Sequence, residues 1–184
     1  MKILLAITGA SGVIYGKRLL EELSKIDEVN IELVISNAGK QLINQELDMD
    51  SEELKSMAEK SYKPDEMAAP PASGSSLYDG ILIVPCSMST LSKISGGIAD
   101  NLITRSASVA LKENRKLIVV PRETPLSSTF LKNMYKLSID GGIVLPACPG
   151  FYGGSDSIDD LINFIVGKIL DTLGLENDTY ERWC

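Results

Sequence analysis

The sequence predicts a single α/β domain built on a doubly wound parallel sheet, and three observations carry that expectation. Short β-branched apolar runs alternate along the chain with longer segments of helical period. Those runs are continuously apolar instead of alternating, the mark of strands covered on both faces. At 184 residues, 44% of them hydrophobic and 5% aromatic, the chain has the size and composition of one domain with a full core.

Strands are expected at Lys2–Ile7, Asn30–Ile35, 80–85, 117–120 and 143–145. Helices are expected at 13–25, 38–46, 51–60, 101–113, 127–139 and Ile158–Leu173. The last is the best marked: Ile158, Leu161, Ile162, Ile165, Ile169 and Leu173 keep the 3.6-residue period, Ser157 offers an N-cap and Gly174 a stop. Residues 64–76 are rich in proline and small residues and are expected to lack regular structure, as a surface loop or a flap over a neighbour. Each strand runs into a loop of small or charged residues, at 8–12, 36–40, 86–90, 121–128 and 147–154. Ligands of such sheets bind beyond the carboxyl ends of the strands.

A formal net charge of −7 opposes binding to a polyphosphate backbone, so nucleic acid is excluded as a partner. The three cysteines have no C-x-x-C spacing, which supports neither a disulfide framework nor a zinc site. No histidine occurs, so a Ser-His-Asp triad, a Cys-His pair and a histidine metal centre are excluded. No stretch approaches the ~18–20 apolar residues of a membrane span, and the N-terminal apolar run is shorter than a signal core of ~7–15. A cytoplasmic location is expected.

Four constellations could carry chemistry. Thr8-Gly9-Ala10-Ser11-Gly12, with Gly16 one turn later, is either an ordinary tight turn or a phosphate cradle opening a helix. Its spacing is not G-x-G-x-x-G, and the second strand ends in Ser36 where a dinucleotide site needs an acid, which argues for a mononucleotide. Pro85-Cys86-Ser87-Met88-Ser89-Thr90-Leu91 offers hydroxyls that cap a helix and can also face a ligand, with Cys86 a packed thiol. Pro121-Arg122-Glu123-Thr124-Pro125-Leu126 places two opposite charges between prolines at a strand end. On the preceding helix, Arg105 and Lys112 are seven positions apart and share a face. Residues 146–154 present Phe151 and Tyr152 on a rigid loop, followed by Lys168 in the last helix. Trp183, in the tail, is the single tryptophan.

The ordered set T-G-A-S-G, P-P-A-S-G-S-S, P-C-S-M-S-T-L, D-N-L-I-T-R, P-R-E-T-P-L, P-G-F-Y and a terminal R-W resembles the flavin prenyltransferase family, UbiX/Pad1-like enzymes once described as small aromatic-acid decarboxylases. The resemblance covers nearly the whole chain. It implies a Rossmann-like (flavodoxin-like) single-domain flavoprotein in a homo-oligomer, a dodecamer, with active sites shared between subunits; the tail of about residues 175–184, with its terminal tryptophan, is expected to be either disordered or docked on a neighbouring subunit. It also implies metal-free transfer of a dimethylallyl group from dimethylallyl phosphate to N5 and C6 of reduced FMN, with the product passing to a UbiD-type decarboxylase. By this likeness Gly9, Ala10, Ser11, Ser36, Ser87, Met88, Ser89, Thr90, Arg105 and Arg122 hold FMN. Lys112, Arg122, Glu123, Tyr152, Lys168 and Trp183 meet the prenyl phosphate, and Ser11, Glu46, Glu123, Lys112 and Arg122 carry catalysis. Lys168 stands where relatives commonly have arginine. Two alternatives share the fold: a flavin-dependent decarboxylase of cysteine derivatives, and a non-catalytic flavin carrier.

Overall fold

The computed structural model describes residues 1–152 and 157–183, so the end of the loop expected at 147–154 and the last residue of the tail lie outside the described residues. The chain runs β1 (Lys2–Ile7), α1 (Val13–Leu23), β2 (Asn30–Ile35), α2 (Asn37–Leu47), α3 (Ser51–Ser56) and β3 (Lys60–Tyr62). It continues with β4 (Gly80–Cys86), α4 (Met88–Ser95), α5 (Leu102–Lys112), β5 (Lys116–Pro121), α6 (Ser128–Ile139), β6 (Ile143–Val144) and α7 (Ile158–Leu173). The six strands form one sheet of order β3-β2-β1-β4-β5-β6. All neighbours run parallel. The strand order reverses between β1 and β4, which makes that junction the switch point where a ligand crevice opens.

Residue alternation along the strands builds two cores. Ile3, Leu5 and Ile7 of β1 face one side with Leu19, Leu20 and Leu23 of α1 and Ile165, Val166 and Ile169 of α7. Leu4 and Ala6 face the other, with Leu91 of α4, Ile103 and Ala107 of α5 and Leu137 of α6. Each buried leucine or isoleucine contributes ~1.5–3 kcal/mol, so the two-sided burial of β1 and β4 anchors the fold. Helix ends follow their sequence signals. Ser157 and Asp160 form a capping box on α7, and Gly174 ends it in the left-handed region at φ 84°. Asn101 and Ser127 cap α5 and α6.

Three segments differ from expectation, the first being α4, a helix of eight residues outside the expected set. The helix expected over 51–60 stops at Ser56, and a sixth strand, β3, follows at the sheet edge. Its sequence Lys-Ser-Tyr has no apolar run because it buries Tyr62 alone. Residues 64–76 contain a single 3-10 turn at Pro70–Ala72, where proline at the first position suits the tight geometry. No helix among the described residues is long and apolar enough to cross a membrane. Residues 175–183 fold back along α7 of their own chain, with Tyr180 OH donating to Asp171 at 2.6 Å.

A buried carboxylate fastens the β3 edge. Glu32 accepts hydrogen bonds from Tyr62 OH at 3.0 Å and from Tyr78 OH, and pairs with Lys2 Nζ at 3.0 Å. Burial pushes its carboxyl up, but the bonds from Tyr78, Lys2 and Tyr62 outweigh burial and hold it below the ordinary range. Burial, then Glu32, pushes the Tyr62 phenol up to about 12.

Gly16 is a point of closest approach under the switch point: a Cβ there would stand 2.4 Å from Val84 O of β4. Gly16→Ala should destabilise the fold by about 1–3 kcal/mol, since the overlap exceeds alanine's helical gain of ~1 kcal/mol; urea unfolding reads the difference. The Tyr62 interaction predicts a loss of stability at high pH. A phenol harder to ionise when folded contributes fully below its unfolded value of 10.0, and that contribution vanishes as pH rises through about 12. Tyr62→Phe should flatten the alkaline limb of stability against pH, measured by urea midpoints.

Candidate active site

Three helix N-termini meet at the carboxyl edge of β1, β2 and β4, each positioned by a short strand-to-helix turn. Thr8 joins two of them. Its hydroxyl donates to Pro85 O at 2.8 Å and accepts Ser87 N–H at 2.8 Å, while Thr8 N–H donates to Pro85 O at 3.2 Å. The residue is 1% exposed, so these bonds are made without water. Ser36 caps α2 by accepting Gly39 N–H at 3.0 Å. Ser87 caps α4 by accepting Thr90 N–H at 3.2 Å and donates to Thr90 Oγ1 at 3.0 Å. Met88 buries its side chain in the core below, so its backbone N–H at the first turn of α4 is what it can present. Ser89 is exposed and Thr90 half-buried beside it.

The turn after β1 is arranged differently. Gly12 takes φ 99° as the N-cap of α1 and brings no capping side chain. Glu46 of α2 replaces it, its Oε2 accepting Gly12 N–H at 2.8 Å and Val13 N–H at 3.2 Å. Two donors expected to meet a ligand phosphate therefore already hold a carboxylate, which the positive end of the helix dipole favours. Gly9 also has a packing role, since a Cβ there would stand 2.4 Å from the Ala38 Cβ of α2.

Arg122 reaches from the end of β5 across β4 to this turn and donates Nε–H to Ser11 O at 2.9 Å. It also lines a pocket of about 90 Å³ with Glu123, Leu126, Met134, Ala147 and Cys148. Its lining is mixed, the Arg122 and Glu123 charges standing beside Leu126, Met134 and Ala147. Tyr15, a residue the sequence did not single out, sits between turn and pocket: burial raises its phenol, the nearby Cys148 adds to this, and Arg122 opposes it. The signal available was a tyrosine in the first turn after a glycine-rich loop. Burial pushes the Cys86 thiol far up, which fits a packed thiol and no nucleophile. Among the described residues no cluster of three or more His, Cys, Asp or Glu could hold a metal ion.

The remaining cationic residues lie elsewhere on the chain. Arg105 donates Nε–H to Ala72 O at 3.0 Å and so holds the 3-10 turn against α5. Lys112 ends α5, pairs with Glu113, and precedes β5, whereas Arg122 follows it. Six residues of strand separate the two ends by about 20 Å. Tyr152 packs edge-on against Phe164 and Trp183, and Lys168 lies on α7 at 3.8 Å from Asp171. One chain thus brings together Ser11, Glu46, Arg122 and Glu123 beside the hydroxyl caps. Lys112 lies at the other end of β5, Tyr152 packs on Phe164 and Trp183, and Lys168 lies beside Asp171.

A parallel sheet with hydroxyl-capped helix ends at its switch point and an arginine over the first turn defines a mononucleotide-binding α/β protein of flavodoxin-like fold. The chain belongs to the Flavoprotein family, whose model matches residues 1–170. It is 52% identical over 183 residues to the flavin prenyltransferase UbiX of Methanocaldococcus jannaschii, covering 100% of this chain and 98% of that one. Its structure is similar to the dodecameric FMN-dependent UbiX-like decarboxylase of Escherichia coli O157:H7, with TM-score 0.98, 40% identity and 100% coverage of both chains. It is also similar to AnUbiX (PadA1) in complex with FMN and dimethylallyl pyrophosphate, with TM-score 0.97, 40% identity and coverage of 100% and 97%.

Removal of the Glu46 carboxylate uncovers the α1 N-terminus. Glu46→Ala should lower stability by ~0.5–2 kcal/mol in urea unfolding without ligand, the range for losing an N-cap. Added sulfate should restore more stability to the variant than to the parent; equal responses would show that this N-terminus does not accept anions.

Proposed function

We propose that this protein is a flavin prenyltransferase that joins the dimethylallyl group of dimethylallyl phosphate to N5 and C6 of reduced FMN. Its product, prenylated FMN, goes to a UbiD-type decarboxylase. Arg122 carries this reading, because it touches the flavin-side turn at Ser11 O and also lines the small pocket. The residues present fit FMN in their chemistry: hydroxyl caps and helix N-termini supply neutral and partly positive donors for one phosphate, with no acid placed for a second ribose. Bound reduced FMN supplies the two positions at which carbon bonds form.

The chain's own groups supply binding and charge stabilisation. Ser36, Ser87 and Thr90 hold the flavin phosphate, and Gly9, Ala10, Ser11, Ser89 and the Met88 N–H line its approach. When the allylic C–O bond breaks, the electron pair leaves with the phosphate, and Arg122, Lys112 and Lys168 stabilise that charge. Tyr152 OH donates to the phosphate oxygens, and Glu123 accepts the O–H of the singly protonated phosphate. Ring closure adds a proton to the prenyl double bond and releases one from C6; phosphate, with a second pKa of ~6, can give the first and take the second, so no histidine is required. The hold of Glu46 on the N–H groups next to Ser11 supports a role in ordering this turn for ring closure.

The separation of Lys112 from Arg122 along β5 supports sites completed by neighbouring copies of the chain, in an assembly like that of the dodecameric relative. The unpaired thiols Cys86 and Cys148 support a reducing, cytoplasmic setting.

Anaerobic incubation with reduced FMN and dimethylallyl phosphate should yield a flavin heavier by one C5 unit in mass spectrometry. An unchanged flavin mass would remove the proposal. Shared sites predict complementation: Lys112→Ala and Arg122→Ala should each lose ~100-fold or more in turnover, given ~2.7–4 kcal/mol per lost charge-stabilising group. Oligomers reassembled from a mixture of the two should regain activity, because some sites then draw both wild-type residues from different copies.

A further inference from the structure

Residues 177–183 form a second organised assembly, against α7. Asp171, in the last turn of α7, receives Tyr180 OH at 2.6 Å, Asn177 Nδ2 at 2.9 Å and Arg182 Nη2 at 2.7 Å. A carboxylate at a helix C-terminus is opposed by the helix dipole, so its place there calls for partners outside the helix. Residues 177–182 supply them. An independent observation points the same way. Gly167 lies in the interior of α7, where glycine is a poor helix former, and a Cβ there would stand 2.3 Å from the Tyr180 ring and 2.4 Å from Thr179 Oγ1. The helix surface is hollowed to seat the tail.

The docked tail completes an aromatic chain. Tyr180 packs on Phe164 with centroids 5.2 Å apart, Phe164 on Tyr152 at 5.6 Å, and Tyr152 on Trp183 at 5.3 Å, all edge to face. Tyr152 has no strand or helix of its own to fix it, and its ring is held between α7 and the tail. Lys168 is held by the same residues: its Nζ lies 5.9 Å from the Tyr180 ring centroid and 3.8 Å from Asp171 Oδ2. Because Tyr180, Asn177 and Arg182 occupy the Asp171 oxygens, Lys168 stays beyond hydrogen-bonding distance of that carboxylate and keeps donors for another anion.

We propose that Asp171 is a positioning residue: by anchoring residues 177–183 to α7 it sets Tyr152 and Lys168 to receive the phosphate end of the prenyl donor. The identity of that ligand rests on the function proposed above, whereas the anchoring rests on geometry alone. Burial pushes the Asp171 carboxyl up, but hydrogen bonds from Arg182, Tyr180 and Asn177 outweigh it and hold it down at about 2. Burial and Asp171 push the Tyr180 phenol up to about 12. The anchor is therefore a carboxylate acceptor and a phenol donor throughout the neutral range.

Trp183 is the single tryptophan, so its fluorescence anisotropy reports tail docking without any substrate. In the FMN-loaded protein, Asp171→Asn should lower that anisotropy and weaken dimethylallyl phosphate binding by on the order of tenfold, the loss of one charge-assisted contact, with FMN affinity unchanged. The KM for the donor should rise more than kcat falls, and Asp171→Glu should recover part of both. Gly167→Ala, which displaces Tyr180 without touching the carboxylate, should reproduce the anisotropy loss and the weaker donor binding. Unchanged anisotropy in both variants overturns the anchor. A released tail with unchanged donor affinity overturns its coupling to the donor. Donor binding by the parent without any prenylated product would instead count against the prenyltransferase reading, and leave the positional effect measurable.

Discussion

The Thr8 hydroxyl, 1% exposed, donates to the carbonyl of Pro85 and accepts the N–H of Ser87, and so locks two strand ends across the point where the sheet reverses direction. Without that hydroxyl the Ser87 N–H would lose its acceptor, at ~1–3 kcal/mol, and Pro85 O would keep the Thr8 N–H alone of these two donors. The geometry of the ligand edge follows from this junction. Because β1 and β4 are held in register there, the N-terminus of α4 stands beside the turn that opens α1, and Ser36 N–H closes onto Ile7 O at 2.9 Å to bring α2 to the same edge. Arg122 then needs to cross one strand to reach Ser11.

The distribution of charge along the chain gives the site its second constraint. A molecule of net charge −7 that handles two phosphorylated ligands must gather cations locally, yet one chain places Arg122 at one end of β5 and Lys112 at the other. Keeping these cations apart in the single chain avoids like-charge repulsion between them.

Much of the fold was legible because its strands are buried on both faces and read as unbroken apolar runs. Ile158–Leu173 was placed to the residue, since cap, period and stop agree. The edge strand Lys60–Tyr62 was not, because an edge paired on one side needs no apolar run, and a Glu-Lys-Ser-Tyr stretch looks like the end of a helix. Glu32 was equally invisible: a lone acid in a strand acquires meaning when Tyr62, Tyr78 and Lys2, distant in sequence, converge on it. At the candidate site, the hydroxyl caps Ser36 and Ser87 and the placement of Arg122 at a strand end were readable from local pattern. The roles of the glycines were not. Gly9 and Gly16 read as allowance for a ligand, and both are demanded by protein atoms, Ala38 and Val84. Local sequence shows that backbone approach is close; it does not show what approaches.

Glu46 gives the turn at 8–12 a property of its own. With its carboxylate on the N–H groups of Gly12 and Val13, the protein carries an internal anion that keeps the loop in one shape and its helix end neutralised in the absence of any ligand. Loading such a site leaves little ordering to do, since the turn is already held in one shape. A protein that must take up a flavin and release it again as product gains from this, because neither step requires the loop to fold or to unfold.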